Sequence, residues 1–357
     1  MENKHTIGDL YQMQSLPLDA KVRMTMARVE GWIQEFGEDG VYISFSGGKD
    51  STVLMDIIRN QMGYDIPAFF VDVPTQYPEL REFAKTWSNV EIIKPKISFM
   101  EVCEKYGFPL ISKEISQVVY EAKISLKEIE QGKIKNYKYG KPVSVLQLEG
   151  KVPYKNRKDE SEMSQQFDKS KYSYFLDAPF SISNRCCTAL KKHPIRNMAH
   201  KTGRKAITAQ MADESKLRTQ KWIQNGCNGF HLKEPISNPM SFWTEQDILQ
   251  YIHTYNLPIC SVYGDVVVDY DAMGEMDGQV MFDEFSGNIK YKTTGCKRTG
   301  CMLCGFGCHI KGDERFLLLK ETHPKMYNLL DVVKNNGVTF REAIEWTNEH
   351  GNLNIKL

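Results

Sequence analysis

The chain has 357 residues, and its 46 lysines and arginines against 45 aspartates and glutamates give a net charge of +1. That length suits one large α/β domain with insertions or two smaller units, because a single core stops growing near about 250–300 residues. The balanced charge excludes a bulk attraction to nucleic acid or membrane, although a local basic patch is compatible with it. The first residues show no leader pattern, and no run of about 18 apolar residues occurs. We therefore expect a soluble, cytoplasmic protein with no membrane partner.

The N-terminal part of the sequence alternates between helical and strand-like patterns. Apolar residues at helical spacing between a cap at Asp19 and a stop at Gly37 predict an amphipathic helix. The segments that follow are a strand at 41–45, a helix at about 51–60, a strand at 67–71, a helix at 79–87 and a strand at 90–93. Strands that alternate with helices predict a parallel, doubly wound sheet in a Rossmann-like α/β fold.

Residues from about 132 to 174 interrupt this alternation. They are rich in Lys, Tyr, Gln and Ser and lack a sustained amphipathic pattern, which is typical of an insertion. After it, the sheet is expected to resume at 205–211. A further helix is expected over 244–255, with Thr244 as its cap and Asp247 completing a capping box.

The stretch "YISFSGGKDSTVL", residues 42–54, places two glycines, a cation and a carboxylate between a predicted strand and a predicted helix. Glycines let backbone N–H groups approach an anion closely, and the helix start adds the positive end of its dipole. We therefore predict a phosphate or pyrophosphate site at Ser46–Ser51. The spacing is shorter than in the common GxxxxGK[ST] loop, and an ordinary glycine-rich turn is the alternative.

Six of the nine cysteines are grouped in the sequence, which indicates a metal site rather than disulfides. Cys186 and Cys187 are adjacent. Four more lie within thirteen residues: Cys296, Cys301, Cys304 and Cys308. The spacing of this local group suits a tetrahedral zinc site by itself, while a [4Fe–4S] cluster takes four thiolates that distant segments can supply.

The loop "SFSGGKDS" resembles the pyrophosphate loop (PP-loop) of the adenine-nucleotide α-hydrolase superfamily, which includes N-type ATP pyrophosphatases and the PAPS and APS (sulfonucleotide) reductases. "FFVDVPTQYPEL" is similar to the second strand and turn of PAPS reductases, with Asp72, Pro78 and Glu79 in register but Val-Pro-Thr-Gln in place of the usual Thr-Gly pattern. "AITAQMADESKLR" resembles the reductase segment ending in Glu-Ser-x-x-Arg, although Gln-Met replaces the more usual Gly-x-Arg.

Two cysteine motifs resemble the iron–sulfur branch of these reductases. "NRCCTALKKHPI" is similar to the tandem-cysteine helix of APS reductases, and "TGCKRTGCMLCGFGCH" to the C-terminal motif that completes their cluster. The resemblance, which covers about residues 40–330, implies a [4Fe–4S] cluster on Cys186, Cys187, Cys301 and Cys304. Zinc on the local group stays the alternative. The implied organisation is a helical segment 1–37, a PP-loop α/β domain 38–285 and a cysteine-rich segment with C-terminal helices 286–357.

The resemblance also implies roles for the nucleotide site. The residues implied to bind the nucleotide are Ser44, Ser46, Gly47, Gly48, Lys49, Asp50, Ser51, Asp72, Glu214, Ser215 and Arg218. Of these, Lys49, Asp50 and Arg218 are the candidate catalytic residues: Lys49 neutralises phosphate charge, Asp50 holds Mg²⁺ or orients the loop, and Arg218 pairs with phosphate or sulfate oxygens. As alternatives, Asp72 caps the helix at Pro78 and Arg218 is a surface residue.

The reaction is where the sequence departs from the reductases. These enzymes use a cysteine on a C-terminal tail as nucleophile, whereas residues 309–357 contain no cysteine. A reductase would have to use Cys308, Cys296, Cys227 or an external thiol. We therefore favour cleavage of ATP between its α and β phosphates, adenylation of a substrate and sulfur transfer, as in DndC-like proteins of DNA phosphorothioation and TtcA-like tRNA thiolases.

The expected partners follow from these alternatives. They are an adenine nucleotide, either ATP with Mg²⁺ or PAPS/APS, and a sulfur donor or thiol reductant. Basic and aromatic residues of the insertion suit a nucleic-acid acceptor, and they equally suit a lid over a small nucleotide. A nucleotide-binding module without turnover, associated with nucleic acid, is the further alternative.

Overall fold

A computed structural model describes residues 3–133, 136–153, 163–272 and 289–357. The chain divides into two compact units. The sheet unit comprises Met1–Asp72, Gln76–Lys94 and Pro194–Thr299, and the cysteine unit comprises Val73–Thr75, Pro95–His193 and Gly300–Leu357. These units cut across the segments 1–37, 38–285 and 286–357 expected from the sequence, because each unit joins stretches that are far apart in the chain.

The described residues contain twelve strands: β1 (Val41–Phe45), β2 (Ala68–Val71), β3 (Val90–Ile93), β4 (Leu110–Ile111), β5 (Lys205–Ile207), β6 (Asn228–Gly229), β7 (Ile236–Ser237), β8 (Val266–Val268), β9 (Tyr291–Thr293), β10 (Gly305–Phe306), β11 (Lys334–Asn335) and β12 (Val338–Thr339). Six of them form the central sheet of the sheet unit in the order β3-β2-β1-β5-β7-β6. All neighbours are parallel except β6, which is antiparallel to β7. The predicted doubly wound, mostly parallel α/β fold is confirmed.

The α-helices of the described residues, in chain order, are α1 (Ile7–Gln14), α2 (Leu18–Phe36), α3 (Lys49–Asp56), α4 (Pro78–Lys85), α5 (Phe99–Tyr106), α6 (Lys113–Glu130), α7 (Val143–Glu149), α8 (Arg185–Cys187), α9 (His193–Thr202), α10 (Lys216–Asn225), α11 (Glu245–Tyr255), α12 (Arg315–Thr322), α13 (Pro324–Tyr327) and α14 (Phe340–Gly351). Wide helical turns continue α3 over Ile57–Gln61 and α8 over Thr188–Lys192. None of the described helices is both long enough and apolar enough to cross a membrane.

Two predicted helix starts have different outcomes. Helix α11 begins after Thr244, whose hydroxyl accepts from Asp247 N–H while the Asp247 carboxylate accepts from Thr244 N–H, so the predicted capping box is confirmed. The predicted cap at Asp19 is wrong. Helix α2 starts at Leu18 with Pro17 as its N-cap residue, two residues earlier than predicted, and Asp19 lies in its first turn, where it accepts a hydrogen bond from Arg23.

The core of the sheet unit lies between the central sheet and its helices. Strand β1 contributes Val41 and Ile43, helix α2 contributes Val29 and Trp32, and helix α11 contributes Ile248, and all of these are fully buried. Burial of such side chains stabilises by roughly 1.5–3 kcal/mol each. The core therefore holds β1, and with it the loop that follows β1.

In the cysteine unit, segments just before α6 contact segments near the C-terminus. Strand β10 pairs in parallel with β4, and a Cβ at Gly305 would lie 2.6 Å from the Pro109 carbonyl oxygen, so this close pairing needs glycine. Asn335 donates to the carbonyl oxygens of Cys103 and Glu104.

The insertion predicted at about 132–174 contains α7, which packs against α6. Residues 134–135 and 154–162 of this insertion lie outside the described residues.

Candidate functional site

The loop after β1 in the sheet unit is built around two glycines. Gly47 has a φ of +72°, in the left-handed region, and a Cβ there would lie 3.1 Å from the Leu80 carbonyl oxygen. Gly48 is the N-cap residue of α3, and a Cβ there would lie 3.1 Å from Ser46 Oγ. The loop thus brings backbone N–H groups to the positive end of α3, which is the arrangement that binds anions.

Two serines hold this loop in shape. Ser46 N–H donates to Ser51 Oγ at 3.2 Å, and the two hydroxyls share a hydrogen bond of 3.0 Å. Gly48 N–H donates to Ser46 Oγ at 3.2 Å, and Ser51 Oγ donates to the Gly48 carbonyl oxygen at 2.9 Å. Ser44, also predicted for the site, is half-buried in β1 in register with Phe69. The cradle is therefore organised by hydrogen bonds within six residues.

Lys49 opens α3 and is buried, with 4 % of its surface exposed. Its Nζ lies 3.1 Å from Glu245 Oε1 and 3.5 Å from Asp50 Oδ1, and it donates to the Lys297 carbonyl oxygen at 3.3 Å. Its backbone N–H donates to the Tyr263 hydroxyl at 3.3 Å. The cation predicted to meet phosphate is thus held at the loop by two carboxylates and a carbonyl oxygen.

Asp50 carries an enclosed oxygen that lacks a hydrogen bond. Its Oδ1 is buried without a hydrogen-bond partner in the described part of the chain, although Lys49 Nζ is at ion-pair distance. Burial raises the pKa of Asp50 and Glu245 adds to this effect, while the charges of Lys49 and Arg298 act against it. A buried carboxylate oxygen without a donor suits a cation ligand.

Asp72 is buried at the carboxyl end of β2, the edge where α/β sheets bind ligands. Its Oδ1 accepts from Arg81 Nε at 2.8 Å and is also 2.8 Å from Arg81 Nη2. It does not cap the next helix, because the N-cap residue of α4 is Tyr77, without a side-chain cap. The structure thus excludes the capping alternative and places an arginine on the carboxylate.

Glu214, Ser215 and Arg218 come together at the start of α10. Ser215 is the N-cap residue, and its hydroxyl accepts from Arg218 N–H at 3.3 Å. The Glu214 carboxylate pairs with the Arg218 guanidinium and accepts from Met211 N–H. Burial lowers the pKa of Arg218, with Asp50 raising it and Arg298 lowering it further. Arg218 is therefore partly buried and close enough to Asp50 for their charges to interact, rather than an isolated surface residue.

The structure adds several residues around Lys49 that were not predicted from the sequence. Tyr263 is buried, its hydroxyl shares a hydrogen bond of 2.6 Å with Thr299 Oγ1, and burial raises its pKa to about 12. Glu245 and Lys297 contact Lys49 Nζ as described above. These residues lie about two hundred or more positions from the loop, and no local pattern marks them. The one available signal was that Lys297 and Thr299 lie inside the quoted C-terminal cysteine motif.

In the cysteine unit, Cys186 and Cys187 form most of the short helix α8. A hydrogen bond between the two thiols, burial, and the charges of Cys187, Cys304 and Cys301 raise the pKa of Cys186. The same hydrogen bond lowers the pKa of Cys187 to about 6, against burial, with help from nearby lysines. The four thiols of the tandem set are thus close enough to influence one another.

Lys191 lies one turn after the tandem pair, beside these thiols. Although burial disfavours its charge, Cys301 and Cys187 raise the pKa of Lys191, and its ammonium hydrogen-bonds to Cys301. Lys191 is therefore half-buried beside the thiols and does not lie on a fully solvated face. Among the described residues, no group of three or more His, Cys, Asp or Glu side chains is already arranged to hold a metal ion.

The other two cysteines of the local group have different surroundings. Cys308 is buried, and its thiol donates to the Gly305 carbonyl oxygen at 2.8 Å. Burial raises the pKa of Cys308 to about 12. Cys296 belongs to the sheet unit, is half-buried, and lies 3.8 Å from the Tyr77 hydroxyl.

An arginine anchors the C-terminal cysteine loop. Arg315 Nη1 donates to the carbonyl oxygens of Cys304 at 2.9 Å and Phe306 at 2.8 Å, and its Nε donates to Asp313. Gly307 N–H donates to the carbonyl oxygen of Ile111, a β-branched residue with a φ of +65°. Such a residue persists in the left-handed region only where its surroundings hold it, so this loop is firmly seated in its unit.

Comparison with known families gives one match. The model of the phosphoadenosine phosphosulfate reductase domain matches residues 40–128 and 143–305. A comparison with curated proteins finds no match. The matched residues make up more than half of the chain and include the glycine loop, Arg218, the tandem cysteines and three of the four cysteines of the local group, all but Cys308. The resemblance inferred from the sequence is confirmed, and the chain belongs to the phosphoadenosine phosphosulfate reductase domain family, whose members are enzymes that act on nucleotides and whose name implies an adenine nucleotide substrate.

Proposed function

We propose that this enzyme cleaves ATP between the α and β phosphates and uses the adenylyl group to activate an acceptor for sulfur transfer. The observation that supports this proposal is the loop at Ser46–Ser51, whose serines, glycines and buried Lys49 form an anion cradle at the start of α3. An acceptor oxygen attacks the α phosphorus, the bond to the bridging oxygen breaks, and pyrophosphate leaves. Sulfide-level sulfur from a donor then displaces AMP from the acceptor.

Residues of the loop account for binding of the leaving group. The N–H groups of Gly48 and Lys49 now donate to hydroxyls of Ser46 and Tyr263, which are groups that phosphate oxygens can replace. The Lys49 ammonium neutralises charge that develops on pyrophosphate as the bond breaks. Arg218, whose guanidinium has a planar fork of donors, orients the phosphate that is attacked.

The residues also fit a magnesium ion and an iron–sulfur cluster. The Asp50 Oδ1 without a hydrogen bond would hold Mg²⁺, which supplies neutralisation of the ATP phosphates when bound. Cys186, Cys187, Cys301 and Cys304 belong to one compact unit and would hold a [4Fe–4S] cluster, which supplies electron storage or sulfur-binding capacity when bound. A tightly seated loop and a half-buried lysine beside the thiols favour this set over zinc on the local group.

The surroundings of the cysteines favour this reaction over a reductase that uses a protein thiol. Of the candidate nucleophiles, Cys308 and Cys227 are buried, and burial raises the pKa of both thiols, so neither is a ready thiolate. Residues 309–357 contain no cysteine. An ATP-cleaving reaction needs no such thiol.

The test is an assay of both reactions on anaerobically purified protein. We expect Mg²⁺-dependent release of pyrophosphate from ATP that increases with a sulfur acceptor, and loss of at least 100-fold of this rate in Asp50→Ala, since a missing Mg²⁺ ligand removes transition-state stabilisation. Sulfite release from PAPS or APS with dithiothreitol, in the absence of any pyrophosphate release from ATP, would reject the proposal.

One observation favours a second candidate, a sulfonucleotide reductase that uses Cys296. This thiol is half-buried in the same unit as the loop, and the next residue supplies the carbonyl oxygen bound by Lys49. Its thiolate would attack the sulfuryl sulfur of APS or PAPS, forming a sulfur–sulfur bond as the sulfur–oxygen bond to the nucleotide breaks. An external thiol would then release sulfite. Sulfite production that disappears in Cys296→Ser but persists in Cys308→Ser would support this candidate.

A further inference from the structure

A short segment of the sheet unit, Lys297–Thr299, lies against the glycine loop. On one side of Arg298, the Lys297 carbonyl oxygen accepts from Lys49 Nζ at 3.3 Å. On the other side, Thr299 Oγ1 shares a hydrogen bond of 2.6 Å with the hydroxyl of Tyr263, the group that also accepts from Lys49 N–H. A Cβ at Gly48 would lie 3.5 Å from Thr299 Oγ1. Both neighbours of Arg298 are therefore tied to the loop, so Arg298 itself is held beside it.

The two arginines near Asp50 differ in their partners. The Arg218 guanidinium is already paired with Glu214. Arg298 is exposed, and within the described ranges its guanidinium forms no hydrogen bond or ion pair. Its charge nevertheless lowers the pKa of Asp50 and that of Arg218, which requires it to be near both. A second cation beside the cradle becomes electrostatically favourable once an anion is bound there, because both cations then attract the anion.

We propose that Lys297–Thr299 forms a second wall of the nucleotide site, in which the Arg298 guanidinium binds a phosphate group of the nucleotide opposite the loop. This inference rests on the proposed function, because it assumes that the loop receives an adenine nucleotide. A guanidinium suits this task, since its donors match two phosphate oxygens at once. Arg218, held by Glu214, orients the nucleotide, whereas Arg298 supplies uncompensated positive charge.

The segment also explains how the loop is kept in shape. The Tyr263 hydroxyl takes the Lys49 N–H that a phosphate oxygen would take, and Thr299 holds that hydroxyl in place. Phosphate binding at the loop exchanges one hydroxyl acceptor for a charged one, and charge-assisted hydrogen bonds are roughly twice as strong as neutral ones. Arg298 then lies where it can reach the same anion.

The experiment compares the affinities of Arg298→Ala, Arg298→Lys and the wild-type protein for Mg-ATP, AMP and adenosine by calorimetry. We expect Arg298→Ala to bind Mg-ATP about 10-fold or more weakly, which corresponds to about 1.4 kcal/mol, and to bind adenosine unchanged. Arg298→Lys should recover only part of the affinity, because an ammonium lacks the fork. Lys201→Ala is the matched control, because Lys201 is an exposed cation of α9 in the sheet unit and is not part of the proposed wall.

Each outcome separates the two proposals. Wild-type affinity for Mg-ATP in Arg298→Ala, with an unchanged melting temperature, would overturn the role of Arg298 and leave the proposed function standing. An equal loss in Lys201→Ala would overturn it as well, since a general loss of surface charge would then explain the effect. Failure of the wild-type protein to bind any of the three probes would overturn both proposals. A weaker affinity for AMP as well as for ATP would place Arg298 at the α phosphate.

Discussion

The glycine loop of the sheet unit and the thiols of the cysteine unit are organised in opposite ways. The loop is shaped by hydrogen bonds among residues 46–51, directly after a buried strand. The thiols come from α8 and from the loop that starts at Cys301, more than a hundred residues apart in sequence. A local site can be preorganised by its own backbone, whereas a site built from distant segments depends on the pairing that holds those segments.

The two sites also differ in how they bear charge. At the loop, the cation Lys49 is compensated by Glu245 and Asp50 before any ligand binds. At the thiols, the charge of Lys191 is favoured by Cys301, Cys187 and Cys304, with burial acting against it. The charge of Lys49 is thus already balanced by carboxylates and would exchange partners when a phosphate binds. The charges of the thiols and their lysines instead depend on what the thiols hold.

The largest effect is expected at the cysteines. Cys187→Ser and Cys301→Ser should each lose nearly all bound iron and sulfide, because losing one of four thiolates opens a cluster to water and oxygen. Cys308→Ser should keep most of its iron, since a serine hydroxyl can still donate to the Gly305 carbonyl oxygen. Anaerobic purification with iron and sulfide quantitation and a visible spectrum measures this.

Cys296→Ser serves as the control from the sheet unit. Zinc that is lost from the Cys296, Cys301 and Cys308 variants but kept in the Cys187 variant would show that the local group is the metal site. The same iron content in all four variants would show that none of these thiols is needed for metal binding.

A smaller effect is expected at the loop. Gly48→Ala should weaken Mg-ATP binding about tenfold or more, because the added Cβ would lie 3.1 Å from Ser46 Oγ and 3.2 Å from the Tyr263 hydroxyl, where an anion must approach. The φ of −76° at this position is ordinary, so the substitution tests space and not backbone strain. Gly31→Ala in α2, where a Cβ meets no atom within 4 Å, is the matched control. Equal ATP affinity in both variants would contradict a phosphate site here.

The smallest effect concerns the stability of the sheet unit. Burial raises the pKa of Asp50 above its unfolded value, so this carboxyl favours the folded state only at low pH, and that contribution is lost as the pH rises through the folded pKa. Asp50→Asn should therefore raise the melting temperature at pH 7, on the order of 2 °C. The gain should vanish below about pH 3.9, where the unfolded carboxyl is protonated too.

Thermal unfolding followed by circular dichroism at several pH values measures this, with Asp39→Asn, an exposed position, as control. A lower melting temperature for Asp50→Asn at pH 7 would mean that the ion pair with Lys49 stabilises the fold more than burial of the carboxylate destabilises it. The variant should also bind Mg-ATP less tightly, so that stability and function change in opposite directions.

The sequence by itself determined the elements that local patterns specify. Alternating apolar runs and periodic segments predicted β1, β2, β3 and α11 and the doubly wound sheet, and the glycine loop was evident because its residues are contiguous. Side-chain periodicity and backbone geometry act over a few residues, and they can be inferred without knowing the fold. The first residue of α2 was not predicted correctly, since Pro17 and Asp19 are both acceptable near a helix start.

Only the tertiary structure decided which distant residues meet. Tyr263, Glu245 and the segment Lys297–Thr299 reach Lys49 because the fold of the sheet unit returns the chain to its first loop. In the same way, the pairing of β4 with β10 brings residues near 110 and 305 together and defines the cysteine unit, which no segment boundary in the sequence marks. Long-range contacts depend on the summed packing of the whole chain, so no local pattern contains them.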